Sequence, residues 1–119
     1  MRNYKKLQIW QRSHKVTLSI YKLSADFPKS EIYGLTSQIR RAAYSVPMNI
    51  AEGCGRNSDA ELARFLEFSS GSAFELSYQL ILAKDLAYIS DDNFQALTSE
   101  VTEIMKMINS FIQKLKPKG

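Results

Sequence analysis

Few residues in this sequence have side chains suited to catalysis or metal binding. His14 is the only histidine and Cys54 the only cysteine, which argues against a histidine metal site and excludes an internal disulfide and a cysteine-cluster metal site. Cys54 stands between two glycines, which would allow an exposed, reactive thiol, but no second histidine or nearby acid accompanies it as the partner of a nucleophile. Glu67 and Glu75 lack the Glu-x-x-His spacing of di-metal helical bundles. We therefore expect a protein that is not an enzyme and that uses no metal and no cofactor.

One short stretch has residues that could bind an anion. Gly53, Gly55, Arg56 and Ser58 precede the predicted start of a helix, where backbone N–H groups attract negative charge. The lysine and hydroxyl pattern of a phosphate-binding P-loop is missing. A turn with a C-cap glycine accounts for the same residues and is the favoured interpretation.

The length and composition predict a single domain, residues 1–119. Of the 119 residues, 45% are hydrophobic and 24% are charged, an ordinary globular balance. No apolar run approaches the roughly 20 residues of a membrane span, and the basic N-terminal segment lacks the apolar core of a signal peptide. These features predict no membrane partner and a cytoplasmic location, which a free cysteine suits.

Apolar residues recur every three to four positions in four segments, which predicts four helices and an all-α fold. The helices are expected at about 7–26, 31–53, 58–88 and 91–116, with boundaries good to a few residues. Phe27-Pro28 ends the first helix. Ser58 and Glu61 predict a capping box at the start of the third helix, and Ser90 with Asp91 and Asp92 predicts the start of the fourth. Because the connecting loops are short, we expect an antiparallel up-down-up-down four-helix bundle.

Two of the predicted helices have more apolar surface than one small bundle can bury. The first and third helices each have a second apolar face. The fourth helix has one narrow apolar seam, which consists of Phe94, Leu97, Val101, Ile104, Ile108, Phe111 and Leu115. The second faces consist of Leu7, Trp10, Leu18 and Tyr21 on the first helix, and Phe74, Tyr78, Ile81 and Leu82 on the third. Their apolar surface favours a homo-oligomer with these helices at the interface, and the alternative is that they are wide core faces. His14 lies within the first of these faces, where a packed histidine is the favoured interpretation.

The second helix contains a proline and a polar stripe. Pro47 removes one helical hydrogen bond, and because the apolar period continues across it we favour a kink over a break. The stripe opposite the apolar face contains Gln38, Arg41, Ser45, Asn49 and Glu52. It is either a solvated face or a buried polar network that fixes helix register or subunit pairing.

The run from Tyr33 to Gly53 closely resembles the signature of the 23S ribosomal RNA intervening sequence proteins. The resemblance covers almost the whole chain, including Leu7 to Trp10, the Phe27-Pro28 turn with Glu31, and Arg56. In the third helix, Phe65-Leu66, Gly71-Ser72 and Glu75-Leu76 are similar to the family motif. Ser69 departs from it, since the family more often has alanine there.

The resemblance implies an antiparallel four-helix bundle that assembles as a ring-like homopentamer. It also implies kinship with the accessory proteins of diversity-generating retroelements, which bind nucleic acid and a reverse transcriptase. Gln38, Arg41, Asn49 and Glu52 match the signature, which favours the structural network. Gly71 is then interpreted as a site where another helix approaches closely. Glycine within a helix costs about 1 kcal/mol of stability relative to alanine, so its presence needs such a reason.

Charge is distributed unevenly along the predicted bundle, although the formal net charge is only +4. An up-down-up-down order places the N-terminus, the second turn and the C-terminus at one end, with nine basic residues against Glu52, Asp59 and Glu61. The basic residues are Arg2, Lys5, Lys6, Arg12, Arg56, Arg64, Lys114, Lys116 and Lys118. Such an end could bind nucleic-acid phosphates, with Tyr4 and Trp10 near it to stack on bases. Terminal lysines that merely aid solubility are the alternative.

Two functional hypotheses follow. The first is a non-catalytic, homo-oligomeric accessory protein that binds structured RNA or an RNA–DNA hybrid through Arg2, Lys5, Lys6, Arg12, Arg56, Lys114, Lys116 and Lys118, by shape more than by sequence. The second is an oligomeric scaffold that binds another protein, such as a reverse transcriptase, and no nucleic acid.

Overall fold

The computed structural model describes residues 2–117, and these fold into four α-helices with no strand among them. The helices are α1 (Gln8–Ser24), α2 (Leu35–Cys54), α3 (Asp59–Asp85) and α4 (Asp91–Leu115). Single turns of 3-10 helix cover Tyr4–Lys6 and Lys29–Glu31. The all-α class and the four helices are therefore confirmed. Lys118, one of the predicted nucleic-acid-binding residues, lies outside the described residues.

Hydroxyl groups cap the two long C-terminal helices as the sequence predicts. The Ser58 hydroxyl accepts a 3.2 Å hydrogen bond from the Glu61 amide, and the Ser90 hydroxyl accepts one of 3.1 Å from the Asn93 amide. The capping box at Ser58 is only half formed, because the Ser58 amide does not donate to the Glu61 carboxylate in the described chain.

The second helix begins four residues later than predicted. The intervening 3-10 turn ends at Glu31, whose carboxylate accepts from the Leu35 amide at 3.2 Å and from the Tyr88 hydroxyl at 2.9 Å. Glu31 thus caps α2 and joins the first connection to the last. A Cβ at Gly34 would lie 2.7 Å from this carboxylate, so a larger residue there would require the Glu31 side chain to shift away from its cap.

Helix α2 continues without a break through Pro47, which is buried. Proline has no N–H, so the carbonyl of Ala43, four residues earlier, loses its helical donor. The Thr17 hydroxyl of α1 lies 3.0 Å from that carbonyl oxygen. Helix α3 also forms a hydrogen bond near Pro47, because the buried Ser69 hydroxyl donates to the Val46 carbonyl at 2.8 Å. Ser69, a departure from the family pattern, thereby joins α3 to the proline region of α2.

Each helix packs against two neighbours around a shared core. Helices α1 and α3 both contact α2 and α4 but not each other, so they lie diagonally opposite. Leu66, Leu80 and Ile108 are fully buried at the centre. In α4, Ile112 is buried while the predicted Phe111 is half-buried, a shift of one position at the end of the seam.

The two helical glycines have opposite environments, which corrects the interpretation of Gly71. A Cβ at Gly71 would meet no atom within 4 Å, so Gly71 allows no close approach of another helix within the chain. The close approach is at Gly53, where a Cβ would lie 2.9 Å from both Leu62 Cδ1 and Phe65 Cβ. Gly53 therefore lets the end of α2 contact the start of α3.

Helix α3 ends at Asp85, three residues before the predicted position, in a Schellman motif. The Tyr88 amide donates to the Ala83 carbonyl at 2.8 Å, and the Ala87 amide donates to the Lys84 carbonyl at 2.9 Å. Ala87 has φ = 62°, a left-handed conformation in which glycine is the usual residue. The absence of glycine at this position explains why the sequence pattern missed the helix end.

Within residues 2–117, none of the helices combines the length and hydrophobicity that crossing a membrane requires.

Candidate nucleic-acid interface

Three separate parts of the chain meet at one end of the structure, and Arg2 contacts all of them. Its amide donates to the Cys54 carbonyl at 3.1 Å, where α2 ends. Its guanidinium lies 3.6 Å from the Asp59 carboxylate at the start of α3, and 5.6 Å from the Phe111 ring centre near the end of α4. The N-terminal segment, the α2–α3 turn and the C-terminal part of α4 therefore form one surface, the basic end.

Four lysines of the basic end have no ion-pair partner in the part of the chain that the structure describes. They are Lys5, Lys6, Lys114 and Lys116, and all four are exposed. Lys5 and Lys6 are in the 3-10 turn, which the Gln11 side chain stabilises by donating to the Lys5 carbonyl at 2.9 Å. Their ammonium groups are available for an external anion.

The three arginines predicted for this surface are already engaged. Besides the contacts of Arg2, the Arg56 guanidinium lies 3.4 Å from the Glu52 carboxylate and 4.7 Å from the Phe65 ring centre. Because both ion pairs are solvent-exposed, their contribution to stability is small. An incoming phosphate could therefore compete for Arg2 and Arg56 at little cost.

Arg12 has a structural contact instead of a free guanidinium. It forms a two-point ion pair with Glu100 of α4, with Nε 2.9 Å from one carboxylate oxygen and Nη2 2.5 Å from the other. The Arg12 hydrogen bond lowers the pKa of Glu100 below its ordinary value, and the Glu100 hydrogen bond raises the pKa of Arg12. This residue joins α1 to α4, so of the predicted basic residues it is the least available to a ligand.

A groove between α1 and α4 reaches the basic end. Leu7, Met107 and Phe111 form its apolar floor, with Lys106 and Lys114 beside them. Apolar groups next to ammonium groups suit a nucleotide, whose base is flat and apolar and whose phosphate is anionic. The predicted stacking residues Tyr4 and Trp10 contact each other edge to face, with ring centres 5.2 Å apart.

The structure excludes an exposed thiol at Cys54. Its side chain is buried, with a residue exposure of 2%, and burial raises the pKa of the thiol. The flanking glycines do not expose it, because α2 continues through Cys54 and the N-terminal segment contacts it through Arg2. The thiol is a small apolar group of the core.

The predicted interface residues divide into two groups. Leu18 (56% exposed), Tyr21 (42%), Phe74 (61%) and Tyr78 (61%) leave large apolar surfaces open on α1 and α3. Leu7 and Trp10 are half-buried and pack against the core. Both second faces are thus real surfaces of a single chain.

His14 is exposed, which corrects the expectation that it is packed. Its ring stacks on Trp10 with ring centres 5.0 Å apart and an interplanar angle of 9°. The stacked pair widens the apolar face of α1 toward Leu18.

The predicted polar network does not form within one chain. Gln38, Arg41 and Glu52 are exposed and Asn49 is half-buried. The Asn49 amide donates to the Ser45 carbonyl at 2.8 Å, and Glu52 pairs with Arg56, but no hydrogen bond joins the four residues anywhere in 2–117. Arg41 and Asn49 face an open groove between α2 and α3, so a network through them stays a prediction for contacts between subunits.

A family model for the 23S rRNA-intervening sequence proteins matches residues 5–110. The chain belongs to that family. The same residues include all four helices except the end of α4, so the family match covers the fold. Of the basic end it includes Lys5, Lys6 and Arg56, whereas Arg2, Lys114 and Lys116 lie outside it.

A solved structure extends the comparison for this 23S rRNA-intervening sequence protein. A protein of unknown function from the S23 ribosomal protein family of Bacteroides thetaiotaomicron VPI-5482 is 26% identical to it, with a TM-score of 0.78. The match covers 88% of this chain and 95% of that one. A search of curated proteins finds no match.

Sequence reasoning about this family member missed the α1–α4 groove. Met107 lies between two predicted core positions of α4, and nothing in its spacing marks it as part of a surface. At the groove, Arg12 of α1 contacts both Glu100 and Met107 of α4, a meeting of residues that no pattern within one helix reveals.

Proposed function

We propose that this protein is a non-catalytic, homo-oligomeric accessory protein that binds structured RNA through the basic end. The observation that carries the proposal is the grouping of four exposed, unpaired lysines around Arg2 and Arg56 within the described residues. Phosphates would displace counter-ions from these groups, and the binding would follow the shape of the RNA more than its sequence. An RNA–DNA hybrid presents similar phosphates and is included in the proposal.

The proposal includes an antiparallel up-down-up-down order of the helices. It is supported by pairs of contacts between α1 and α4. The start of α1 lies beside Lys114 and Phe111, whereas Leu23 near its end lies beside Leu97. A contact at the opposite end of the molecule also supports this order. There Glu31, between α1 and α2, accepts a hydrogen bond from Tyr88, between α3 and α4.

The proposed assembly is a cyclic homopentamer, the number five resting on the resemblance to the family. Exposed apolar surface on two diagonal helices supports assembly, because monomers rarely leave such surface uncovered. A ring with aligned axes would repeat the basic end in a circle, so that each chain's modest charge is multiplied. A cytoplasmic location and kinship with the accessory proteins of diversity-generating retroelements belong to the same proposal.

A second candidate function is a scaffold that binds another protein, such as a reverse transcriptase, without nucleic acid. The observation in its favour is apolar surface near the other end, where Tyr33 is 93% exposed, Ile32 57% and Leu86 45%. Such a patch suits a protein partner better than it suits phosphates.

A matched pair of charge reversals tests the RNA proposal. Lys5→Glu/Lys6→Glu acts at the basic end, and Lys29→Glu/Lys84→Glu makes the same charge change at the other end. The first variant should weaken the binding of a labelled structured RNA at least tenfold at low salt, and the second should leave it within about twofold. Far-ultraviolet circular dichroism checks that both variants stay helical.

Equal losses in the two variants would mean that only net charge matters, and the basic-end assignment would be wrong. If neither the variants nor the wild-type protein bound RNA, the scaffold would become the leading candidate.

A further inference from the structure

We infer that successive copies join head to tail, with the exposed face of α1 on one copy docking on the exposed face of α3 on the next. This inference rests on the proposed oligomer and names the surfaces that meet. The α1 face is defined as Trp10, His14, Leu18 and Tyr21 with the flanking Lys15 and Lys22. The α3 face is defined as Glu67, Gly71, Phe74, Glu75 and Tyr78.

The two helices have opposite charge. Helix α1 has the basic residues Arg12, Lys15 and Lys22 and no acidic residue. Helix α3 has five acidic residues, among them Glu67 and Glu75, and only two basic ones. An α1–α3 contact is therefore attractive, whereas contacts of α1 with α1 or of α3 with α3 bring like charges together.

The charges that would meet are not held by other charges, and their one hydrogen bond within residues 2–117 is donated by the Gln79 side-chain amide to Glu75 at 3.5 Å. Lys15, Lys22, Glu67 and Glu75 are all exposed, and none takes part in an ion pair within residues 2–117. At a rise of about 1.5 Å per residue, Lys15 and Lys22 are about 10.5 Å apart along their helix and Glu67 and Glu75 about 12 Å. Two lysines on one copy can thus face two glutamates on the next.

Gly71 lies midway between Glu67 and Glu75 and is exposed. Its missing side chain serves no packing purpose inside the chain, since a Cβ there would touch nothing within 4 Å. In a docked pair the same gap leaves room for a bulky group of the α1 face, such as the stacked rings of Trp10 and His14. The docking thereby gives a role to a glycine that weakens an isolated α3.

The positions of the two faces mean that each docked copy is rotated relative to the copy before it. The α1 face borders α2, because the Arg40 guanidinium of α2 lies 4.7 Å from the Tyr21 ring centre. The α3 face borders the groove between α2 and α3, which Glu67, Gly71 and Glu75 line with Arg41 and Asn49. Each face therefore has one edge beside α2, although α1 and α3 themselves are diagonally opposite. Each copy is then rotated relative to the previous one, a geometry that can close into a ring.

Charge-swap variants test the inference through the mass measured by light scattering after size exclusion. Lys15→Glu/Lys22→Glu and Glu67→Lys/Glu75→Lys should each shift the wild-type oligomer to the monomer mass of 13.6 kDa. The quadruple variant should recover the oligomer mass because it restores opposite charges on the two faces. Gly71→Gln should also yield monomers while staying fully helical. The control Asp92→Lys/Glu103→Lys changes exposed acids outside both faces and should keep the wild-type mass.

The outcomes separate this inference from the proposed oligomer. A monomeric wild-type protein over the accessible concentration range would overturn both. A wild-type oligomer whose mass neither double variant alters would overturn the head-to-tail pairing alone. Loss of mass in both double variants without recovery in the quadruple variant would also count against the pairing.

Discussion

The Thr17 hydroxyl lies 3.0 Å from the carbonyl oxygen of Ala43, the carbonyl in α2 that Pro47 leaves without a helical donor. The hydroxyl is also 2.9 Å from the Ser13 carbonyl of its own helix, so one proton serves two acceptors. A polar side chain on α1 thus compensates for a proline on α2. This contact explains how an interior proline is accommodated in a continuous helix.

Thr17→Val should destabilise the fold by about 1–3 kcal/mol, because the isosteric valine leaves a buried carbonyl without a donor. The free energy of unfolding, from urea titration followed by circular dichroism, measures the loss. In the Pro47→Ala background the substituted residue has a backbone amide that can donate to the Ala43 carbonyl, so the same change should cost about 1 kcal/mol less. Equal costs in the two backgrounds would show that Thr17 does not compensate for the proline.

Two glycine-to-alanine substitutions should have opposite signs. Gly53→Ala places a methyl group 2.9 Å from Phe65 Cβ, which cannot move without its backbone, and should destabilise by about 1–3 kcal/mol. Gly71→Ala adds a methyl group in open space and should stabilise the isolated chain by about 0.5–1 kcal/mol. The measurement is the urea midpoint of unfolding, at protein concentrations that keep the chain monomeric. A destabilising Gly71→Ala under those conditions would contradict the open environment.

Ala87→Gly should stabilise the protein by up to about 1 kcal/mol. Ala87 adopts φ = 62°, where a Cβ crowds the backbone and glycine does not. The thermal midpoint should rise by a few degrees. The neighbouring Ala83→Gly, within α3, is the control and should lower it, because glycine weakens a helix interior and removes a buried methyl group.

The Arg12–Glu100 pair should make stability depend on pH in the acidic range. Arg12 lowers the pKa of Glu100 below its ordinary value of 4.5, so the pair stabilises the fold above that pH. The stabilisation is lost as the pH falls through the lowered pKa that Glu100 has in the folded state. Glu100→Gln should therefore cost stability at pH 7, by no more than about 1 kcal/mol because both side chains are about a third exposed. The difference in unfolding free energy between Glu100→Gln and wild type should narrow as the pH falls below 4.5 and vanish below the lowered folded-state pKa of Glu100. A difference that stays constant down to pH 2 would contradict the pairing.

The sequence was informative wherever a single helix determines the outcome. The apolar period predicted the four helices, and Ser58 and Ser90 predicted two helix starts that the structure confirms. The end of α3 was missed because alanine, not glycine, takes the left-handed position at residue 87.

Contacts between helices were harder to predict, because they depend on which residues meet across the bundle. Gly71 was assigned the close approach that Gly53 makes, since both are glycines in helical segments and only the packing distinguishes them. In the same way, Arg12 counted toward the basic end by sequence, whereas Glu100, far along the chain, engages it.

Binding of a labelled structured RNA to the wild-type protein across a salt series, with duplex DNA alongside, tests the proposed function most directly. With four unpaired lysines per chain among the described residues of the basic end, we expect micromolar or tighter binding at low salt. The logarithm of affinity should fall with the logarithm of salt with a slope of about −3 or steeper. No binding at low salt, or an affinity that salt leaves unchanged, would contradict it.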